Sequence, residues 1–305
     1  MKSLYSIIIS TKNNELTIKY VLSSTLTLTE NYNVELVIVD GNSTDNTFKI
    51  VNDFMSKNKS YYASFKVLRD PGFSLSFARH LGFKNSRGNI LIFLDGDTPL
   101  TTSFVYNLEK ELGDGDLISP IFRCVPLDEA TRVFNEFMKT VSYVQIDVTE
   151  GKGISDPSIL PPARIFKRVV LEKMKGYPVS SSFFGEDRIT TALAVRLGFR
   201  YKFSTRLKLF KIDEPGFNSY WRKHYRYALG IHRDITSLGR QILRGYIVSR
   251  RIIHLNTIFP VISLIYGFNA YNYMKNPKKA VEIALMKYFI DTAMFLGDII
   301  GVMKS

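Results

Sequence analysis

Two carboxylate pairs in this chain have spacings that could do chemistry. Asp95-Gly96-Asp97 closes the run Asn89-Ile-Leu-Ile-Phe-Leu, and Glu186-Asp187 follows Phe183-Phe184-Gly185. A short unbroken apolar run reads as a strand buried on both faces. Side chains alternate along a strand, so Asp95 and Asp97 converge at its carboxyl end, where open α/β sheets bind their ligands. Close carboxylates repel unless a cation lies nearby. A hard divalent ion with oxygen ligands, Mg²⁺ or Mn²⁺, meets that need, and Gly96 would let a ligand approach the backbone. Each pair also has a plain structural reading. Asp-Gly and Thr-Pro form turns, and acids in a helix's first turn are favoured by the dipole alone.

A third concentration has the opposite sign. Gly216 to Arg251 holds eight Lys and Arg against a single acid, Asp234, and the chain as a whole carries a formal charge of +13. Nucleic acid, an anionic membrane surface and polyphosphate substrates are the partners such a charge suits. No helix-turn-helix, zinc-finger or RNA-binding signature is present, so no nucleic-acid partner is expected. The basic residues mostly flank apolar helices, which suits a membrane surface.

These groups need a frame, and the pattern supplies one. Strands expected at 4–10, 34–40, 65–69 and 89–95 alternate with helices ending near Leu28, running through Phe48, Val51, Phe54 and Met55, and spanning 74–86. Ser43 is the expected N-cap of the second helix. Such alternation means βαβ units and a mainly parallel sheet. Further on come a helix at 101–112, a strand at 117–122 that Pro120 places near an edge, a helix at 128–147 and a loop at 151–162. A strand at 164–167, a helix at 168–175, a helix closed by Gly198 and a strand at 200–210 follow, and the chain is mostly helical from Tyr220. The apolar stretches Thr257–Phe268 and Val281–Met303 fall short of the roughly 20 nearly uncharged residues a spanning helix needs. Glu282, Lys287, Asp291 and Asp298 interrupt the second, so both read as amphipathic, re-entrant or core helices.

With 45% hydrophobic and 23% charged residues in 305, the chain is globular. A single cysteine, Cys124, excludes an internal disulfide framework, and Met1-Lys2-Ser3 leads straight into a strand with no secretory signal. A cytoplasmic protein, at the cytoplasmic face of a membrane, is the expectation.

The motifs, taken in order, resemble one family. Ser-Ile-Ile-Ile-Ser-Thr-Lys-Asn-Asn (6–14), Val-Ile-Val-Asp-Gly-Asn-Ser-Thr-Asp-Asn-Thr (37–47), Ser76-Phe-Ala-Arg-His-Leu-Gly82, Ile-Phe-Leu-Asp-Gly-Asp (92–97), the stretch Ile165–Pro178 and Gly185-Glu-Asp-Arg188 follow the sequence of the family 2 inverting glycosyltransferases of GT-A fold. The likeness covers about residues 4–210. It implies that Ser10, Thr11, Lys12 and Asn14 wrap a nucleotide's base and ribose, and that Asp40 accepts a hydrogen bond from the base. Arg79 would lie near the nucleotide, Asp95 on the ribose or sugar, and Asp97 on the metal. It gives Asp187 the role of base for the acceptor hydroxyl. The basic stretch around Trp221 lies where related enzymes close a loop over the diphosphate, so His224 and Arg226 become candidate phosphate or metal-shell residues.

The expected architecture is thus a GT-A α/β domain at 1–216 with a basic, helical C-terminal region at 217–305. The expected activity is metal-dependent transfer from a nucleotide sugar, UDP-linked by preference, to a lipid-linked acceptor such as a polyprenyl phosphate or lipid-borne glycan. Two rivals stand beside it. Asp95-Gly-Asp97-Thr98 also fits the nucleophile string of haloacid-dehalogenase-like phosphatases, although that string opens their sheet and three strands precede it here. A non-catalytic basic protein that binds a membrane or nucleic acid is the other.

Overall fold

The computed structural model describes residues 3–113, 115–126, 160–179, 185–213, 221–222, 224–226, 228–229, 256–257 and 259–303. The helix expected at 128–147, most of the loop expected at 151–162, and His232 and His254 lie outside them. The chain divides into two compact units.

The first comprises Met1–Arg123, Val148–Ser181 and Glu186–Ile212. Its strands are β1 (Leu4–Thr11), β2 (Asn33–Asp40), β3 (Ser64–Arg69), β4 (Ile90–Asp95), β5 (Leu117–Pro126), β6 (Ile165–Lys167) and β7 (Tyr201–Asp213). They form one sheet in the order β3-β2-β1-β4-β6-β5-β7. The first four are parallel, whereas β6 runs antiparallel to both β4 and β5. Pro120 lies beyond the β5–β6 ladder, whose last pair is Ile118 with Ile165.

Alternation along the central strands makes two cores. Ile7, Ile9, Leu36, Ile38, Ile92 and Leu94 point into one layer, against α1 (Ile18–Thr29) and α4 (Thr102–Leu112). Ile8, Val37, Leu91 and Phe93 point into the other, with Phe83 of α3 (Leu75–Asn85) and Val170 and Leu171 of α5 (Arg168–Lys173). Each such side chain, fully buried, contributes about 1.5–3 kcal/mol. Burial on both faces is why these strands are continuous apolar runs.

Helix starts follow local chemistry. The hydroxyls of Ser74 and Thr101 accept the Phe77 and Phe104 amides and cap α3 and α4. Ser43 departs from expectation: α2 (Thr47–Asn58) begins three residues later, after Asn46. The Ser43 hydroxyl donates to Asp40 instead, so the turn that closes β2 claims it before the helix can.

The second unit contains a helical hairpin, α7 (Val261–Met274) and α8 (Pro277–Met303); α6 (Glu186–Arg196) belongs to the first unit. A Cβ on Gly267 would lie 2.9 Å from Ala284 Cβ and 3.1 Å from the Ala280 carbonyl oxygen, so the hairpin's helices approach closely there. Some of its polar residues are buried, Ser263, Asp291 and Asp298 among them. The Asn256 amide donates to Ser263 Oγ (2.7 Å) and Asp291 Oδ2 (2.6 Å), and Lys287 pairs with Asp291. Large apolar side chains are outside, among them Phe268, 66% exposed, and Leu264, 64%. Among the described residues no helix is long and apolar enough to cross a membrane.

Candidate active site

The sheet order has a switch point between β1 and β4. From β1 the chain builds outward through β2 to β3, then returns to place β4 on β1's other side. Ligands of open α/β sheets bind outside the carboxyl ends of such strands. Ser10 is in register with Asp95 there, and Thr11 with Asp40.

The turns leaving β1 and β2 are laced together. Asn14 Oδ1 accepts the Thr11 hydroxyl (3.0 Å) and the Lys12 amide (3.1 Å). The Asn13 amide donates to Ser43 Oγ and its side-chain oxygen accepts the Thr44 amide, while Asn14 N donates to Thr47 Oγ1 at 2.7 Å. Glu15 N donates to Asp45, and Asn46 N to Glu15. Asp40 is fully buried. It accepts the Ser43 hydroxyl on Oδ1 (2.5 Å) and the Ser43 amide on Oδ2 (3.0 Å), with Arg69 at 3.8 Å. Its carboxylate thus holds its own turn, with lone pairs left for a further donor. Ser10 Oγ is buried and makes no hydrogen bond among the described residues. Gly96 gives a finding the sequence did not suggest: a Cβ there would collide with Asn14 and Thr11, so the close approach it permits is by the protein's own turn.

Above this floor lies a cluster of charges. Arg79 of α3, 1% exposed, reaches two carboxylates with the two ends of its guanidinium: Nη2 to Asp95 at 2.7 Å and Nη1 to Glu186 at 2.7 Å. Nη1 also donates to the Tyr177 hydroxyl at 3.1 Å. Arg164, just before β6, joins the two carboxylate motifs directly. Its Nη2 lies 3.4 Å from Asp95 Oδ2 and 3.3 Å from Asp187 Oδ2. Lys211 of β7 bonds Asp97 Oδ1 at 2.5 Å and lies 3.7 Å from Asp95. Four carboxylates therefore share three cations. Asp95 and Asp97, ninety residues before Glu186 and Asp187, belong to the same constellation.

The electrostatics separate the acids. Burial acts to raise Asp95, but Arg164, Arg79 and Lys211 outweigh it and hold its carboxyl well below the ordinary carboxylate range. Burial and the neighbouring Asp187 charge push Glu186 up to about 7, against the pull of Arg79. Burial lifts the Tyr177 phenol to about 12, so it stays neutral while it accepts from Arg79.

Of the expected site residues, Ser10, Thr11, Lys12, Asn14, Asp40, Arg79, Asp95, Gly96, Asp97 and Asp187 lie in or between the elements of the first unit at this end of the sheet. His224 and Arg226 belong to the second unit. Arg164, Lys211 and Tyr177 were missed. Nothing local marks Arg164 or Lys211, because each is one basic residue in or beside a strand and acquires its partners only through sheet order. Asp95, the nucleophile in a phosphatase reading, is gripped by three cations.

A divalent metal fits one position here. Asp97 uses Oδ1 for Lys211, and its other oxygen is a hard donor of the kind Mg²⁺ and Mn²⁺ take. Among the described residues no group of three or more acidic, His or Cys side chains encloses a metal by itself.

A mixed sheet with this strand order is a transferase fold, as comparison with known proteins shows. The model of the glycosyl transferase family 2 matches residues 6–174, more than half the chain, and the chain belongs to that family. It is 22% identical over 232 residues to the probable glycosyltransferase YdaM of Bacillus subtilis, covering 74% of this chain and 54% of that protein. It is 32% identical over 82 residues to an uncharacterized glycosyltransferase of Haemophilus influenzae, covering 26% of this chain and 30% of that one. The chain thus spans about half the length, or less, of these relatives. Among solved structures it is similar to S. aureus TarS 1-349 in complex with UDP-GlcNAc (TM-score 0.53, 16% identity, 94% of this chain and 90% of that one). It is also similar to the mannosyltransferase PcManGT from Pyrobaculum calidifontis in complex with GDP-Man and Mn²⁺ (TM-score 0.60, 16% identity, 96% and 86%). The fold is GT-A: a seven-stranded mixed sheet between helices, with a C-terminal helical region.

Proposed function

We propose that this chain is an inverting glycosyltransferase that moves a hexosyl or N-acetylhexosaminyl group from a nucleotide sugar, UDP-linked by preference, to a lipid-linked acceptor. The observation that carries the reading is the joining of Asp95 to Glu186 and Asp187 through Arg79 and Arg164 at the sheet's switch point, with Asp97 brought to the same cluster by Lys211. Family membership supports it, as do structural neighbours described with UDP-GlcNAc and with GDP-Man and Mn²⁺.

In this reading the turn from Ser10 to Asn14 and Asp40 cradle the base and ribose, and the buried Ser10 hydroxyl gains a partner. Asp95, fixed as an anion, accepts from ribose or sugar hydroxyls. Asp187 takes the proton of the acceptor hydroxyl as its oxygen attacks the anomeric carbon, and the bond to the diphosphate oxygen breaks on the opposite face. Arg164 holds the Asp187 carboxylate on a fixed bearing. A Mg²⁺ or Mn²⁺ ion held by Asp97 would supply Lewis-acid stabilisation of charge on the departing diphosphate. His224 and Arg226, in the basic stretch, are the residues we assign to phosphate oxygens.

The acceptor class and a site of action at the cytoplasmic membrane face rest on the C-terminal region. The hairpin presents apolar side chains outward and follows a basic stretch, which suits partial burial in an anionic lipid surface. A thermal-shift panel of UDP- and GDP-sugars, each with and without Mn²⁺, tests the donor. The expected result is stabilisation by UDP-sugars that increases with metal. A flat panel across all donors would remove the reading.

A further inference from the structure

Resting on that reading, we propose that Lys211 is a displaceable internal cation: it occupies Asp97 in the donor-free enzyme and makes divalent-metal binding conditional on the nucleotide diphosphate. The position of Lys211 is set by backbone. Phe210 N donates to the Pro99 carbonyl at 3.0 Å and Ile212 N to the Asp97 carbonyl at 2.9 Å, so β7 is tied alongside the segment that carries the aspartates. From there the ammonium reaches Asp97 Oδ1 at 2.5 Å and Asp95 Oδ2 at 3.7 Å. Asp95 has little left to offer a metal, because Arg79 holds Oδ1 at 2.7 Å and Arg164 lies 3.4 Å from each oxygen. A metal must therefore enter through Asp97, where it meets an ammonium already in place. Two cations on one carboxylate repel, and more strongly in a partly desolvated site than in water.

A diphosphate changes the balance. It gives Lys211 a more highly charged acceptor and gives the metal the further oxygen ligands it requires. The lysine side chain is suited to the exchange, being a point charge on a flexible four-carbon stem, 21% exposed here and so able to move without opening the core. Metal and nucleotide then bind with positive coupling, and Lys211 is the element both act on. Because coupling is reciprocal, the metal raises nucleotide affinity by the same factor.

The test is direct Mn²⁺ binding, read from the EPR signal of the free ion, on the full-length wild type, Lys211→Met and Lys211→Arg, without nucleotide and with saturating UDP. Thermal melts confirm that each variant is folded. In the wild type UDP should tighten Mn²⁺ binding by about tenfold or more. Lys211→Met should bind Mn²⁺ without nucleotide about tenfold more tightly than wild type and lose most of the gain from UDP. Lys211→Arg keeps the charge and should stay weak without nucleotide. If Mn²⁺ binds wild type and Lys211→Met equally without nucleotide, the proposal is overturned while the glycosyltransferase reading stands. If neither UDP nor Mn²⁺ binds any of the three proteins, both fall together.

Discussion

The switch-point end of the sheet and the C-terminal hairpin both bury charged groups, and they do so in opposite settings. In the first unit, Arg79, Asp95 and Glu186 lie at the rim of two apolar layers, with partly exposed Asp97, Lys211 and Asp187 leading out toward solvent. In the hairpin, Ser263 and Asp291 are enclosed with Asn256 just before it, while Leu264, Phe268, Val281 and Leu285 face outward. Water suits the first distribution. The second wants an apolar neighbour over part of its surface. Polar residues at strand ends await a ligand, whereas polar residues between two helices fasten the pair and leave the apolar faces for something else.

The comparison can be broken most severely at Asp187. Asp187→Asn should lower transfer to a hydroxyl acceptor about 10²–10⁴-fold while donor binding, followed by calorimetry, stays within a few-fold. Unchanged turnover would mean that the acceptor arrives already ionised, as a phosphate does, and needs no base. Next in size is Arg79. Its two ends serve different carboxylates, so Arg79→Met leaves the buried Glu186 without its ion-pair partner and takes from Asp95 its shortest one. We expect a loss of about 3–5 kcal/mol in urea unfolding. Arg79→Lys should recover little of it, since one ammonium cannot reproduce the fork. A loss well under 1 kcal/mol would show that the cluster does not hold the two motifs together.

The hairpin is tested by Leu264→Glu with Phe268→Glu. Both side chains are exposed, so the melting temperature should hardly move, whereas co-sedimentation with anionic vesicles should weaken by about tenfold or more. Retained vesicle binding would take the membrane role away from this face. The last test is a pH trend. Glu186 has a raised pKa in the folded state, so its contribution is fully present below the ordinary glutamate value and is lost as pH climbs toward 7. Glu186→Gln should therefore gain stability relative to wild type between about pH 4.5 and 7, on the order of 3 kcal/mol in full. Asp95 works in the other direction, its stabilisation failing only in strong acid. A pH-independent difference between wild type and Glu186→Gln would deny that Glu186 is buried beside a second charge.

Much of this was legible in the residues. The strands at 4–11, 33–40 and 90–95 announce themselves because both faces are buried, which leaves largely apolar runs, and the half-buried strand at 64–69 shows as a shorter alternation. Asp95-Gly-Asp97 and Glu186-Asp187 were visible because each pair is local. Arg164 and Lys211 were not, because their meaning depends on β6 and β7 joining the sheet beyond β4, and strand order is not written in any short window. The role expected of Ser43 failed for a related reason. Capping competes with a bond to Asp40 three residues back and with a long-range one from the Asn13 amide, and the register of β1 with β2 brings the second within reach.

The lacing of Asn13, Asn14 and Glu15 onto Ser43, Thr47 and Asn46 has a thermodynamic consequence for any molecule that settles on this floor. Both loops have surrendered their freedom during folding, so an arriving ligand does not have to freeze them. Their amides should exchange with deuterated solvent slowly whether or not the pocket is filled, and selectivity there should come from shape already cast, not from a surface that moulds itself on contact.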